Sequence, residues 1–368
     1  MPPESLRKLG ALAYSDTGAP PESTNYTTIV TVHGLTWKTG VFDPLQTYAH
    51  KHNTRVVCIS RRDYPGADPL TEEDKHLLDG GKSVEEGQKD VFTFVEGRTD
   101  EMQDFLRLLI EQEGIQPVQD NTGGIIFIGW SLAALFAIGM LANPGRPAGR
   151  GLRPYIRRII IFGACTEPEL AIQQTERMDP TLLHTRLMTP PGVDPAEEYH
   201  LLLSRYYQHG DSLSTIGLAR EEVPGSSATL ARMSRADIAA VLDTKGGRTG
   251  SDFALIEQGF KYGFYQAFRE KAFHPPTAAD QLTDEPDQAD PYDEWWDVPV
   301  RFLACQHSIF EIVLAYWVLQ DEVATAKRMG RSMRRIDFRL MRGVNHFAHW
   351  DFPERTLLAF LAEDGVEV

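Results

Sequence analysis

Cysteine is scarce in this chain of 368 residues. The three cysteines, Cys58, Cys165 and Cys305, each lie within or directly after an apolar run, and they form no CxxC pair and no Cys/His ligand spacing. This pattern argues against a zinc site and against a disulfide framework. We therefore expect buried free thiols, no metal and no cofactor.

Long hydrophobic runs and an excess of basic residues are also missing. No stretch approaches the roughly 18 apolar residues that a membrane span needs, and MPPESLRKLG at the start contains no apolar signal segment. A formal net charge of −15 argues against nucleic acid or an anionic membrane surface as the partner. We expect a soluble, cytoplasmic protein that acts on a small molecule, and the sequence leaves its oligomeric state open.

Strand-like and helix-like segments alternate along the chain. The strand candidates are ALAYSDTG, TTIVTVHG, TRVVCIS, GIIFIG, RRIIIFG, VPVRFLAC and RRIDFRLM. Several are continuous apolar runs, which is typical of strands buried on both faces. Helical periodicity occurs at 100–113, after Ser131 and at 309–329. The pattern predicts an α/β fold with a mostly parallel central sheet and flanking helices.

The alternation stops between about residues 168 and 297. Amphipathic segments such as AEEYHLLLSRYYQ and DFALIEQGFKYGFYQAFREKAF occur there, separated by loops rich in proline, glycine and acidic residues. We interpret 168–297 as an inserted helical cap on a core formed by 1–167 and 298–368. Its aromatic residues either line an apolar pocket or pack the helices together: Tyr206, Tyr207, Phe260, Tyr262, Phe264, Tyr265 and Phe268.

A lone hydroxyl interrupts the apolar run GGIIFIGWSLAALFAIG at residues 123–139. Ser131 lies between a strand-like and a helix-like part, with Gly129 two places before it and Ala133 two places after it. Small residues are needed at both places because larger side chains would collide across a very tight turn. The alternative is that Ser131 is an ordinary helix N-cap.

Three short motifs follow predicted strands in a fixed order. VTVHGLTW places His33 and Gly34 after an early strand, IGWSLA contains Ser131, and LMRGVNHFAHWDFPE places His346 after the last strand. Over nearly its whole length the chain resembles the α/β-hydrolase fold superfamily, with its nucleophile-first order of serine and histidine. CISRRDYPGADP and GWSLA also resemble a branch of these hydrolases, common in fungi, that has RRDYPG and GWSL motifs.

The resemblance implies a set of site residues. Ser131 would be the nucleophile and His346 the base, with His349 as its rival. The Leu132 amide and the Leu35 amide would form the oxyanion hole, while His33 would shape the loop. Trp130, beside the nucleophile, would line a pocket for an apolar acyl or alcohol group.

The third member of the triad is the hardest to place. The two strand ends where the fold offers an acid have Gln306 and Ser308 in one case and Gly163 in the other. The nearest carboxylates are Glu167 and Glu311, and we predict Glu167 as the acid.

Asp63, in the RRDYPG segment, is interpreted as part of a structural salt bridge and turn. Two classes of function stay open. One is a serine hydrolase that acts on an ester, thioester, lactone or similar acyl compound. The other is a protein on the same scaffold, without a normal triad acid, that binds a small ligand or catalyses a non-hydrolytic reaction.

Overall fold

The structure is a computed structural model, and it describes residues 6–143, 147–165, 195–217, 220–243, 250–275 and 295–365. Glu167, the predicted acid, and the first part of the predicted insertion lie outside these ranges.

Eight strands form one sheet. They are β1 (Arg7–Leu9), β2 (Leu12–Asp16), β3 (Thr27–Val32), β4 (Thr54–Ser60), β5 (Ile125–Trp130), β6 (Ile156–Phe162), β7 (Val300–Cys305) and β8 (Ile336–Met341). Their spatial order is β1-β2-β4-β3-β5-β6-β7-β8. Only the β1–β2 and β2–β4 pairings are antiparallel, and the other neighbours are parallel. The predicted α/β class and mostly parallel sheet are therefore confirmed.

The apolar runs form the central strands because both faces of the sheet are covered. Every residue of β3, β5 and β7 is buried. Alternate residues enter two separate apolar clusters: Ile125 and Phe127 face one layer, whereas Ile126, Ile128 and Trp130 face the other. Strand β1 was not predicted, because this three-residue edge strand has the sequence RKL and no apolar alternation.

Twelve α-helices occur in the described ranges. They are α1 (Asp43–Gln46), α2 (Glu72–His76), α3 (Val84–Glu113), α4 (Ala134–Ala142), α5 (Pro195–Leu203), α6 (Thr229–Arg232), α7 (Arg235–Val241), α8 (Ser251–Lys261), α9 (Phe264–Phe273), α10 (Phe310–Arg328), α11 (Ala348–Asp351) and α12 (Pro353–Leu361). Of these, none has both the length and the apolar composition needed to cross a membrane.

Two helices of the predicted insertion cover the sheet-flanking helices. Helix α9 packs against α4 and α3, and α8 packs against α3. The aromatic residues Tyr262, Phe264 and Phe268 are buried in this layer, so they serve helix packing and not an open pocket. Within 168–297 the described residues form helices and isolated bridges but no strand. The division into core and cap remains a prediction.

Candidate active site

Parallel strands bring the three motifs to one edge of the sheet. His33 follows β3, Ser131 follows β5 and His346 lies five residues after β8. The β5–β6 register pairs Trp130 with Phe162, so Gly163 continues the same edge beside Ser131. Ligands of open α/β sheets bind outside the carboxyl ends of the strands.

Ser131 occupies a strained turn between β5 and α4. Its φ is 57°, a left-handed value that costs a non-glycine residue about 1–2 kcal/mol. A Cβ on Gly129 would lie 2.4 Å from the Ala133 carbonyl oxygen, so a small residue is required before the turn, as the sequence predicts. The Ser131 side chain caps neither the following turn nor α4, which excludes the N-cap interpretation. Ser131 is held at the edge of the sheet, and the residue as a whole is partly exposed.

The loop after β3 lies directly against this turn. A Cβ on Gly34 would be 2.8 Å from Ser131 Cβ and 3.3 Å from its Oγ, so only glycine permits this approach. Leu35 follows Gly34 and is buried. Among the loop and turn hydrogen bonds of the described residues, neither the Leu35 nor the Leu132 amide serves as a donor. Two amides proposed for an oxyanion hole thus lie on the two segments that meet at Ser131.

His33 shapes this loop. Its Nδ1–H donates to the Gly34 carbonyl (3.0 Å), and its Nε2 accepts the Arg61 amide (3.2 Å). Burial lowers the pKa of His33 from 6.5 to about 3. Both nitrogens are occupied and the ring stays neutral, so His33 does not act as a base in this arrangement.

The His346 side chain is buried among aromatic residues at this edge of the sheet. Its ring stacks on Trp130 with centroids 5.0 Å apart, and the Trp130 indole N–H donates to the His346 carbonyl (3.2 Å). Burial lowers the pKa of His346 from 6.5 to about 3. Within the described structure it makes no side-chain hydrogen bond to Ser131, and its buried Nδ1 has no partner. The imidazole is therefore held neutral and close to the serine turn, without an orienting acid among the described residues.

Gly163 occupies the strand end where the fold can supply that acid. Its φ is 58°, and a Cβ there would lie 2.9 Å from both Cε1 and Nδ1 of His346. The imidazole thus fills the space in which an acid side chain would begin.

The other strand end is also without a free carboxylate. Glu311 pairs with Arg220 (3.1 Å), and the Gln306 side chain accepts the Gly343 amide (3.0 Å). Ser308 is fully buried, and its hydroxyl has no hydrogen-bond partner. Of the two glutamates considered from the sequence, Glu311 is therefore engaged elsewhere.

Trp130 packs between His346 and His349. Trp130 is 0% exposed, so its side chain borders no space that water can reach and forms the platform under His346. The ring of His349 lies edge-on to Trp130 with centroids 4.4 Å apart. Burial lowers the pKa of His349 well below its ordinary value, and neither of its nitrogens has a partner.

Residues of the predicted insertion hold the His346 loop. The Asn345 side chain donates to the Ser204 carbonyl (2.7 Å) and to the Thr229 hydroxyl (2.9 Å). Asp351 accepts hydrogen bonds from Tyr206 (2.7 Å) and Thr229 (2.6 Å), and it also pairs with Arg232. Asn345 is visible in the Asn-His-Phe pattern, but its partners follow only from the fold.

The RRDYPG segment supplies contacts that the sequence analysis did not identify. Arg61 pairs in bidentate fashion with Asp252 of α8, 191 residues away. Arg62 pairs with Glu101 of α3. Asp63 has a φ of 67° and accepts the Leu70 amide (2.9 Å), so it fixes a turn; none of the ion pairs between described residues includes it.

Metal ligands and thiols add nothing to this edge. No group of three or more His, Cys, Asp or Glu side chains among the described residues is arranged to hold a metal ion. Cys58 and Cys305 are free thiols and are buried as expected, whereas Cys165 is partly exposed.

Solved structures to which this chain is similar share little of its sequence. An epoxide hydrolase from Vigna radiata is 12% identical, with a TM-score of 0.49, and the match covers 97% of this chain and 96% of that one. An esterase from Thermogutta terrifontis is 14% identical, with a TM-score of 0.44 and coverage of 95% and 90%. A bromoperoxidase from Bacillus anthracis is 12% identical, with a TM-score of 0.44 and coverage of 96% and 95%.

A search of curated proteins finds no match. The family comparison, by contrast, matches residues 29–359, which include both the Ser131 turn and the His346 loop. This chain belongs to the alpha/beta hydrolase family.

Proposed function

We propose that this protein is a serine hydrolase that cleaves an ester, thioester, lactone or similar acyl bond of a small, largely apolar substrate. The observation that carries the proposal is the left-handed backbone of Ser131 at the end of β5. Strain of this kind persists where the surrounding structure enforces it, and it clusters at functional sites. The close approach of Gly34 to Ser131 supports the same interpretation, because it brings the loop that carries the Leu35 amide next to the hydroxyl.

In the proposed reaction, Ser131 attacks the acyl carbon and transfers its proton to His346. The oxyanion that develops accepts hydrogen bonds from the Leu35 and Leu132 amides. The leaving group takes the proton back from His346, and water then hydrolyses the acyl-enzyme by the same route. Leu35 and Leu132, on the two segments that meet at Ser131, are both apolar, which supports an apolar acyl group.

Glu167 is the acid in this proposal. His346 has no carboxylate partner among the described residues, and its low pKa means that the resting ring is a weak base. A carboxylate at Nδ1 would raise that pKa and stabilise the imidazolium. The proposal therefore requires Glu167, four residues after Gly163, to reach His346 in the reacting state.

Labelling with a fluorophosphonate tests the nucleophile. We expect the wild-type protein to react at Ser131, and Ser131→Ala to lose both labelling and esterase activity while remaining folded. His346→Ala should lose comparable activity, and His349→Ala much less. Full activity in Ser131→Ala would place the chemistry elsewhere, and the reverse ranking of the two histidines would change the assigned base.

Two matched amide variants test the acid. Glu167→Gln should lower kcat by orders of magnitude because a neutral amide does not stabilise the imidazolium. Glu311→Gln should leave kcat nearly unchanged, since that carboxylate pairs with Arg220. Equal activity of both variants and the wild type would remove Glu167 from the mechanism.

A second function is favoured by one observation. The buried Nδ1 of His346 lies against Gly163, where a triad acid would otherwise begin. On this basis the alternative is a scaffold that binds a small ligand or catalyses a non-hydrolytic reaction. An unreactive Ser131 in a folded protein, as judged by the phosphonate, would support the alternative over hydrolysis.

A further inference from the structure

Thr36 is the most constrained residue of the loop that carries the Leu35 amide. It adopts a φ of 62°, a left-handed value that is rare for a β-branched residue. Its amide, hydroxyl and carbonyl each form a hydrogen bond with another segment of the chain. A backbone held in this way is over-determined, so the Leu35–Thr36 peptide is fixed, and with it the residue whose own amide starts from the neighbouring Gly34–Leu35 peptide.

The first contact comes from the RRDYPG segment. The Thr36 amide donates to the Tyr64 hydroxyl (2.8 Å), and the Tyr64 hydroxyl donates to Asp252 (2.6 Å). Arg61 donates to both oxygens of the same carboxylate and also to the Gly34 carbonyl (3.0 Å). Tyr64 and Arg61 are both buried, so these bonds are not in competition with bulk water.

The second contact comes from α5 of the predicted insertion. His200 Nε2 lies 2.6 Å from the Thr36 hydroxyl, which itself donates to the Leu35 carbonyl (2.6 Å). Because the hydroxyl has one proton, His200 Nε2 must carry the proton of the other bond and donate it. The ring also stacks on Trp37, with centroids 5.3 Å apart, and it is 1% exposed.

The third contact is a short backbone ladder. The Asp243 amide donates to the Thr36 carbonyl (2.7 Å), and the Lys38 amide donates to the Val241 carbonyl (2.7 Å). Trp37 and Leu242 form the antiparallel bridge between them. The loop is thus held from two sides by the insertion and from a third side by Tyr64.

We propose that Tyr64 and His200 are positioning residues of the hydrolytic reaction, which hold Thr36 so that the preceding Leu35 amide points at the oxyanion. This inference rests on the proposed function, because it assumes that an oxyanion forms at Ser131. Neither residue touches the reacting atoms. They act through Thr36, and the RRDYPG segment and helix α5 thereby gain a role in transition-state stabilisation.

Tyr64→Phe is the sharpest test. It removes one hydroxyl and keeps the Arg61–Asp252 ion pair, so the protein should still fold. We expect kcat and the rate of phosphonylation at Ser131 to fall about ten-fold with KM little changed, since only the transition-state contact is displaced. Amide hydrogen exchange in the peptide that contains residues 34–38 should become faster. Tyr316→Phe is the matched control, because Tyr316 is a buried tyrosine packed on Phe302 and Phe338.

Two variants of His200 complete the experiment. His200→Phe keeps a ring against Trp37 but removes the donor, so it should match Tyr64→Phe. His200→Gln places an amide N–H near the position of Nε2, and we expect it to restore part of the lost rate.

The outcomes separate the two proposals. A wild-type protein that does not react with the phosphonate overturns the proposed function and this inference together. A reactive wild type with Tyr64→Phe and His200→Phe reacting at the wild-type rate overturns this inference alone. A loss that is equal in Tyr316→Phe also overturns it, because a general loss of stability would then explain the effect.

Discussion

The buried imidazole of His346 makes a prediction about stability that does not depend on catalysis. Burial lowers its pKa from 6.5 to about 3 in the folded chain. In the unfolded chain the ring takes up a proton as the pH falls below about 6.5. The unfolded state then binds more protons than the folded state, so the free energy of unfolding decreases as the pH falls. This contribution is lost progressively from about pH 6.5 down to about pH 3.

The size of the effect follows from the two pKa values. At pH 8 the ring is neutral in both states, whereas at pH 5 it is charged only when the chain is unfolded. The difference corresponds to a loss of about 2 kcal/mol between pH 8 and pH 5 from this residue alone. His33 is buried in the same way and contributes a similar loss, which is common to the wild type and to variants of His346.

Urea denaturation at pH 8, 7, 6 and 5 measures this difference. We expect the unfolding free energy of His346→Phe to fall by about 2 kcal/mol less than that of the wild type over this range. His346→Asn serves as a second variant, and any change in baseline stability cancels because only the pH dependence is compared. His76→Gln is the control, because the His76 side chain is 85% exposed. Parallel curves for the wild type and both His346 variants would refute the assignment of a neutral, desolvated ring.

Four further substitutions test the packing of the chain, two near His346 and two in helix α3. His349→Leu should raise the free energy of unfolding by about 1 kcal/mol in urea denaturation at pH 8, because it removes two buried nitrogens without partners; a clear decrease would indicate an unseen partner. Gly97→Ala should stabilise α3 by about 0.5–1 kcal/mol, since nothing lies within 4 Å of the added carbon. Gly87→Ala in the same helix should instead be destabilising, because its Cβ would lie 2.4 Å from the Tyr262 ring; equal effects of the two alanines would contradict this packing. Asp351→Asn should lower the melting temperature, because the carboxylate accepts three hydrogen bonds, and an unchanged melting temperature would contradict that role.

The sheet and the serine turn were predictable because their signals are local. Continuous apolar runs mark strands covered on both faces, and Gly129 before Ser131 reflects a collision between neighbours in sequence. Helix α3 was predicted only from residue 100, although it begins at Val84. Its start is encoded in a capping box, in which Ser83 and Glu86 exchange hydrogen bonds, and this local signal could have extended the prediction.

The contacts that position the site were not predictable in the same way. Arg61 and Asp252 are 191 residues apart, and no periodicity links them. The aromatic residues of α8 and α9 show the same amphipathic spacing whether they pack on a helix or line a cavity. Trp130 could equally have lined a pocket or packed in the core, and only its burial and its stacking on His346 show that it faces the histidine and not solvent. These assignments need the three-dimensional arrangement because they depend on which segments meet.

The hydrogen bonds that join the predicted insertion to the Thr36 and His346 loops limit how a ligand can reach Ser131. Lifting α5 to α7 away as one body would break the ladder at Thr36 and Lys38 together with the bonds from Asn345. A concerted opening of this extent belongs to infrequent motions on the microsecond-to-millisecond scale or slower. A ligand that needs this opening to reach Ser131 would therefore associate at a rate set by the opening, below that of a ligand that docks without a conformational change.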